Sequence, residues 1–408
     1  MCWHECINYA VFNYSNFRKT NFISNGDPES AQTWSNVPKC FVDTLRRKGV
    51  VVHTVNLANE RLQKAYDLGF RRVLKVLTMW YDEPRYYGYT WLHKLLGYKR
   101  IKLAVKAFPE VDYCFFINYP FYNKFSQVPS LLLSDWPNII DLRRRGKPMS
   151  RFKRRFCLQE KEAIEHARHV VSIFPLCAQE MRELYPSAHI SYLGGNVINN
   201  LSGKVLAHRG EVPDDAPDVV FTDTLMERKR NSRRILFVGK PDRYRESAVK
   251  LIEAVGLMRK EPQYGDLELD VIGISAGQLP QVPPYVRCHG FLHKDVPGEC
   301  ALFYDLLMNA KVIVNPTPRW AAYSSIVETM YFMTPVVVSP FDDFVKEFGS
   351  DIPFGCYNRE FTAQGIADSI KSVIGSPRYD ALCERAHETV KGYTWDVYVD
   401  KVLRLCNE

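Results

Sequence analysis

The amino-acid sequence predicts an α/β protein with two doubly wound, parallel-sheet domains that face each other across a cleft. The 408 residues are enough for two or three domains. Strand-like runs alternate with helix-like segments through both halves of the chain, and these runs are too apolar to have one face in water. The composition, 46% hydrophobic and 13% aromatic, excludes an intrinsically disordered protein.

The first half alternates less regularly than the second. A loop rich in asparagine is expected over 21–27, directly after the first strand, where it would lie near a ligand in the cleft. The strands predicted in this half are 7–14, 49–57, 111–119, 130–136, 169–174 and 189–194, and the helices are 37–49, 160–168 and 177–185.

The second half has the clearer pattern. The helix expected over 247–260 places Val249, Ile252 and Val255 on one face. The polar, proline-containing stretch 202–232 is the predicted boundary between the halves. The strands predicted here are 233–239, 267–275, 286–292, 311–316 and 334–340, and the other helices are 298–310 and 324–333.

Positive charge is concentrated in the first half. Residues 1–230 contain 34 Lys and Arg against 23 Asp and Glu, whereas 231–408 contain 20 against 23. Eight basic residues lie in 143–155, close to an aromatic, basic stretch at 79–103. Such clusters predict contact with an anionic membrane surface. A solvated basic face is the alternative, and nucleic acid is disfavoured because no recognised binding motif accompanies the charge.

The cysteines indicate a cytoplasmic protein, either free in solution or peripheral at the inner face of a membrane. The eleven residues are irregularly spaced and include no CxxC pair, so we expect reduced thiols. A metal site at Cys2, His4 and Cys6 is a weaker alternative to a loosely ordered N-terminus. The first residues lack the order of a secretory signal.

One strand–loop–helix unit carries the main candidate site. A helix is predicted to begin near Ser324, and the free N–H groups at a helix amino end suit a phosphate. Glu328 lies one turn further, where its carboxylate could accept the two hydroxyls of a ribose. Ser325 and Glu328 also have the spacing of a capping box, which needs no ligand and which the local sequence alone favours. The backbone groups of this site are those of Ser324, Ser325, Ile326 and Val327.

The text from 316 to 338 resembles the signature of glycosyltransferase family 4. Glu328-Thr329-Met330 corresponds to its E-A-M, and 334–337 to its G-x-P-V region. The resemblance covers about 110–408 and implies two facing Rossmann-like domains, the GT-B fold. It implies a first domain at 1–215, a nucleotide-sugar domain at 216–390 and a helical segment, 391–408, that crosses back to the first domain.

The resemblance also implies residues that bind the donor. Gly239 and Lys240 stand at the family's glycine and basic residue after the first strand of the nucleotide domain. Arg245 fits the second basic residue, with Arg243 as a rival. Gly290 ends the strand whose loop backs the nucleotide base. Preorganised positive groups of this kind would stabilise the departing diphosphate.

Two further residues are candidates for catalysis. Trp320 stands where the family has the first of two glutamates, so an aromatic face could stack on the donor sugar there. Asp135 follows a predicted strand and could act as a base toward the acceptor hydroxyl. An aspartate that caps the following turn is an equally good interpretation of Asp135.

The resemblance implies a glycosyltransferase that uses a nucleoside diphosphate sugar and retains the anomeric configuration. The charge of the first half suggests a lipid-linked acceptor or a growing surface polysaccharide. No D-x-D motif is apparent, so we expect no metal and no cofactor besides the donor. A nucleotide-sugar epimerase or hydrolase, or a nucleotide-sugar-binding subunit without catalysis, remains open as an alternative.

Overall fold

The structure, a computed structural model, describes residues 17–70, 87–144, 146, 148, 149, 151–194, 218–318 and 323–408. Predictions about the strand at 7–14, the cysteines near the N-terminus, residues 79–86 and Trp320 concern residues outside these ranges. No helix of the described residues has the length and hydropathy needed to cross a membrane.

The first domain contains a six-stranded, parallel sheet with the order β2-β1-β3-β4-β5-β6. Helices cover both of its faces, as a parallel sheet requires. Its strands are β1 (Lys19–Ser24), β2 (Val51–Asn56), β3 (Tyr113–Ile117), β4 (Ser130–Ser134), β5 (His169–Ser172) and β6 (Ile190–Tyr192). Its helices are α1 (Val37–Arg47), α2 (Glu60–Ala65), α3 (Trp91–Ala107), α4 (Asn138–Arg144), α5 (Arg151–His166) and α6 (Pro175–Leu184).

Strand β1 corrects the prediction of a loop over 21–27. Asn21 is fully buried in the middle of this strand, between His53 of β2 and Cys114 of β3. Asparagine has a low intrinsic preference for strands, so the local sequence indicated a loop. The pairing with two neighbouring strands overrides that preference.

The second domain repeats the architecture with the order β12-β11-β10-β7-β8-β9, again all parallel. Counted within the domain, this is the Rossmann order, whose switch point lies between β7 and β10. Its strands are β7 (Arg234–Val238), β8 (Glu268–Ile272), β9 (Val286–Gly290), β10 (Ala310–Asn315), β11 (Val336–Val338) and β12 (Gly355–Tyr357). Its helices are α7 (Asp218–Asn231), α8 (Pro241–Met258), α9 (Pro297–Asn309), α10 (Ser324–Tyr331), α11 (Asp342–Phe348), α12 (Ala363–Ile374) and α13 (Tyr379–Val390).

Helix α7 lies within the stretch 202–232 that the sequence predicted as the boundary. Lys229, in the most charged part of that stretch, is fully buried. Its ammonium donates to the carbonyls of Leu307, Met308 and Ala310 at 2.7–3.0 Å. A lysine is rarely buried unless its charge is satisfied, and these carbonyls at the end of α9 satisfy it.

The last helix, α14 (Trp395–Asn407), lies on the first domain. Trp395 packs against Phe41 of α1, with ring centroids 6.0 Å apart. Ion pairs join Arg47 to Asp396 at 3.0 Å and Lys48 to Asp400 at 2.7 Å. The hydrophobic core on this face of the first sheet therefore includes the end of the chain.

The two domains also contact each other through Arg144 of α4. Its guanidinium lies 3.1 Å from Asp343 of α11 and 2.7 Å from Glu180 of α6. The Asp343 carboxylate also accepts the N–H of Leu176 at 3.3 Å. Arg144 belongs to the basic run at 143–155, which was predicted to contact a membrane surface. Its side chain is only 12% exposed, so that prediction is wrong for this residue.

Candidate functional site

The candidate site lies where the carboxyl edges of the two sheets approach each other. Gln32 lies in the segment that follows β1, and Asp295 lies in the segment that follows β9. The side-chain amide of Gln32 donates to the carboxylate of Asp295 at 3.3 Å. Burial raises the pKa of the Cys40 thiol of α1 to about 12. The charges of Lys294 and Glu328, in the second domain, also affect this pKa. In open α/β sheets, ligands bind at this edge, at the switch points.

Helix α10 begins at Ser324, as predicted, and its amino end is accessible. Ser324 is exposed and Ser325 is half-buried, whereas Ile326 and Val327 are buried in the core. The helix makes its first main-chain bond from the N–H of Val327 to the carbonyl of Tyr323, at 3.0 Å. The preceding N–H groups have no partner within the helix and can donate to an anion.

The alternative interpretation of Ser325 and Glu328 as a capping box is wrong. Tyr323 occupies the cap position and makes no side-chain cap bond, so Ser325 is already the second helical residue. Both carboxylate oxygens of Glu328 instead lie 2.8 Å from the ammonium of Lys294, and Tyr304 donates to Oε1 at 3.2 Å. Because Lys294 is 34 positions away, the local sequence gave no sign of this pair.

Glycines bring three strand ends of the second domain close together. A Cβ at Gly239 would lie 2.7 Å from the Tyr244 side chain. A Cβ at Gly273 would lie 2.4 Å from the carbonyl oxygen of Gly239. Gly290 has a φ of +63°, in the left-handed region, and its carbonyl accepts the N–H of Gly273 at 2.6 Å. These contacts leave no room for side chains at Gly239 and Gly273, which follow β7 and β8.

Arg243 acts on a residue of the first domain, whereas Arg245 bonds within the second domain and Lys240 is exposed. Lys240 is exposed at the start of α8, with its ammonium 5.4 Å from the Phe291 ring centroid. The guanidinium of Arg245 donates to the carbonyl of Gln278 at 2.6 Å. The charge of Arg243 acts to lower the pKa of Asp135 in the other domain. Residues two apart on a helix point in roughly opposite directions, which explains this difference.

Asp135 follows β4 and faces the second domain. Burial raises the pKa of its carboxyl to about 6, while a hydrogen bond from Trp34 and the charge of Arg243 favour the ionised form. Asp135 does not cap the following turn: the N–H of Asn138 at the start of α4 donates to Glu160 at 2.9 Å. Trp34 was missed because its contact with Asp135 depends on the folded sheet.

Within the ranges that the structure describes, no three His, Cys, Asp or Glu side chains lie close enough to hold a metal ion. Trp320, the second predicted catalytic residue, lies outside those ranges.

Solved structures of like fold include two synthases and a glycosyltransferase. A sucrose-phosphate synthase from Thermosynechococcus elongatus matches 95% of this chain over 98% of its own, at 15% identity and a TM-score of 0.61. The match with a UDP-forming trehalose-phosphate synthase from Burkholderia xenovorans covers 96% of this chain and 99% of that protein, at 13% identity and a TM-score of 0.60. The match with WaaG, a glycosyltransferase involved in lipopolysaccharide biosynthesis, covers 95% of this chain and 99% of WaaG, at 13% identity and a TM-score of 0.60.

These likenesses show that the chain has the GT-B fold, with two Rossmann-like domains. The fold class predicted from the sequence is therefore confirmed. No protein-family model and no curated protein sequence matches the chain.

Proposed function

We propose that the chain is a glycosyltransferase that moves a sugar from a nucleoside diphosphate sugar to a saccharide acceptor, free or lipid-linked. The observation that carries the proposal is the accessible amino end of α10 beside the exposed Lys240, at the switch point of a GT-B fold. Proteins of like fold include a UDP-forming synthase and a trehalose-6-phosphate protein bound with UDP-2-fluoro glucose.

The donor's diphosphate would lie between the amino end of α10 and the cations of α8. When the bond between the sugar and the diphosphate breaks, its electron pair stays on the diphosphate. N–H groups of Ser324 and Ser325, with Lys240, would stabilise that charge in place. We assign the second cation to Arg243 rather than Arg245, because Arg243 acts on a residue of the first domain. Glu328 would accept a ribose hydroxyl.

The acceptor hydroxyl would enter from the side of Asp135. We propose retention, as the family resemblance implies; a departing phosphate oxygen would then take the hydroxyl proton while Asp135 orients the hydroxyl. In an inverting reaction Asp135 would take that proton itself. NMR of the product's anomeric proton decides between these two outcomes.

A thermal-shift panel with UDP-, GDP- and dTDP-sugars tests the proposal. We expect one nucleotide to raise the melting temperature, because a ligand that binds only the native state adds about 2.7 kcal/mol at 100 times its Kd. The double change Lys240→Ala and Arg243→Ala should abolish the shift, and Arg245→Ala should keep it. No shift with any nucleotide would overturn the proposal.

Turnover separates the remaining alternatives. A transferase consumes the donor only when a saccharide acceptor is added. An epimerase or hydrolase consumes it without an acceptor, and a binding subunit shows the shift but consumes no donor under either condition. Each of these two results would contradict glycosyl transfer.

A further inference from the structure

Helix α3 has apolar residues on two opposite faces. Tyr98, Ile101 and Val105 are buried against the first sheet. On the outer face, Trp91 is 67% exposed and Leu95 is 57% exposed. Leu103, two turns beyond Leu95, is 59% exposed. A solvent-facing helix face is normally polar, so these outer residues indicate a surface that contacts something apolar.

The same outer face is positively charged. Residues 91–107 contain five Lys and Arg and no Asp or Glu. Two of them are held by the protein, since Lys94 pairs with Glu162 at 3.6 Å and Arg100 donates to the carbonyls of Asn56 and Ala58. The other three are exposed beside the outer apolar residues. They are Lys99, Lys102 and Lys106.

Helix α5 extends this surface. Its Ile164 and the Ile101 of α3 belong to the same core on one face of the sheet, and the Lys94–Glu162 pair joins the two helices. Leu158, one turn before Glu162, is 60% exposed. Its exposed neighbours on α5 are basic. They are Arg154, Arg155 and Lys161.

We propose that this outer surface of α3 and α5 docks on an anionic lipid bilayer. Lysines beside exposed Trp and Leu suit the boundary between headgroups and acyl chains, where the cations meet lipid phosphate and the apolar side chains enter the bilayer. Nucleic acid would match the charge but leave the exposed leucines in water. The proposal does not depend on glycosyl transfer.

The topology places this surface beside the cleft. Helix α3 leads into β3, so its carboxyl end lies at the amino edge of the sheet and Trp91 lies near the carboxyl edge. Asp135 is at that same carboxyl edge. A membrane bound by this surface would therefore lie next to the cleft opening.

Co-sedimentation of the full chain with vesicles tests this docking. We expect binding to phosphatidylcholine vesicles that contain 25% phosphatidylglycerol to be at least tenfold stronger than to phosphatidylcholine alone, and to weaken at high salt. Wild-type protein that stays in solution with both kinds of vesicle would overturn the proposal.

Two sets of variants assign the contact. Trp91→Ala with Leu95→Ala, and Lys99→Glu with Lys102→Glu and Lys106→Glu, should each lower binding at least tenfold. Leu302→Ala is the control for the first set. Lys260→Glu with Arg378→Glu and Lys391→Glu, all exposed and outside α3 and α5, is the control for the second. Controls that lower binding equally would overturn the proposal.

The remaining outcomes are equally distinct. If only the lysine changes weaken binding, and they weaken binding to duplex DNA as strongly, the surface is a general polyanion site and the membrane proposal fails. Unchanged circular dichroism and melting temperature would show that each variant folds. The nucleotide-induced thermal shift should persist in all variants, so failure here is separate from failure of the proposed function.

Discussion

Glu328 has a structural partner as well as a proposed ligand. The residue is 8% exposed, and a buried carboxylate is costly unless it is paired. Lys294 supplies the charge, and its ammonium also lies 4.1 Å from the Phe303 ring centroid. An ionised carboxylate has about four lone-pair sites, so Lys294 and Tyr304 leave capacity for a ribose hydroxyl. Glu328 can therefore hold Lys294 and the donor together.

Glu328→Gln should weaken nucleotide binding by roughly 1.5–3 kcal/mol, because hydrogen bonds to a charged acceptor are lost. Isothermal titration with the nucleotide found in the thermal-shift panel measures this. Glu253→Gln, on the exposed side of α8, is the control and should leave affinity unchanged. A variant with full affinity and only a lower melting temperature would mean that Glu328 binds Lys294 but not the nucleotide.

Two helix ends are bound by buried, ionisable side chains of other helices. Lys229 of α7 binds the carbonyls at the carboxyl end of α9. Glu160 of α5 accepts the N–H of Asn138 at the amino end of α4 at 2.9 Å, and its side-chain amide at 2.7 Å. The ionised form of each residue has the charge sign that the helix dipole favours. Both residues are buried, so these contacts join elements of the core.

Glu160→Gln should change how stability depends on pH. Burial raises the pKa of Glu160 to about 8, against 4.5 for the free group, despite the bonds from Asn138. The folded state thus binds more protons between pH 4.5 and 8, and stability falls as pH rises through that window. This group alone contributes a slope of up to about 1.4 kcal/mol per pH unit.

Urea unfolding at several pH values between 5 and 8 measures that slope. The Gln variant should lose it and become more stable than wild type at pH 8. Glu165→Gln on the same helix is the control and should follow wild type. Parallel stability curves for wild type and Glu160→Gln would contradict the prediction.

The two domains are held together by residues far apart in the chain. Arg144 and Asp343 are 199 positions apart, and Asp343 is 1% exposed. Burial raises the pKa of Asp343 to about 6, and the charge of Arg144 opposes that rise. Nearby, Tyr192 of the first domain and Tyr393 before α14 both donate to Glu347. Polar contacts, of which the one at Asp343 is buried, therefore join the two domains.

Arg144→Gln should destabilise the protein by about 3–5 kcal/mol, because it leaves Asp343 buried without its cation. Adding Asp343→Asn should restore part of the loss, since no unpaired charge then remains. Urea unfolding of the two single variants and the double variant measures the coupling. Arg46→Gln, which breaks an exposed pair with Glu29, is the control and should cost no more than about 1 kcal/mol. Strictly additive effects of Arg144→Gln and Asp343→Asn would contradict a direct contact.

Much of the architecture was predictable, because burial and periodicity are local properties. All five strands predicted in the second half are present, with ends that differ by at most three residues. Strand β12 was missed because its three half-buried residues, Gly-Cys-Tyr, do not form an apolar run. The loop expected over 21–27 was wrong for Asn21, where two neighbouring strands outweigh the preference of the residue.

The candidate site was predictable only in part. Local sequence was sufficient to locate the start of α10, since a helix amino end depends on residues within a few positions. The resemblance to a family supplied Gly239 and favoured a ligand role for Glu328, where the local sequence alone favoured a capping box. The partner of Glu328, the donor of the bond to Asp135 and the direction of Arg243 depend on contacts between distant segments. Such contacts form only when the sheets and helices have packed and the two domains face each other. No short stretch of sequence encodes that geometry.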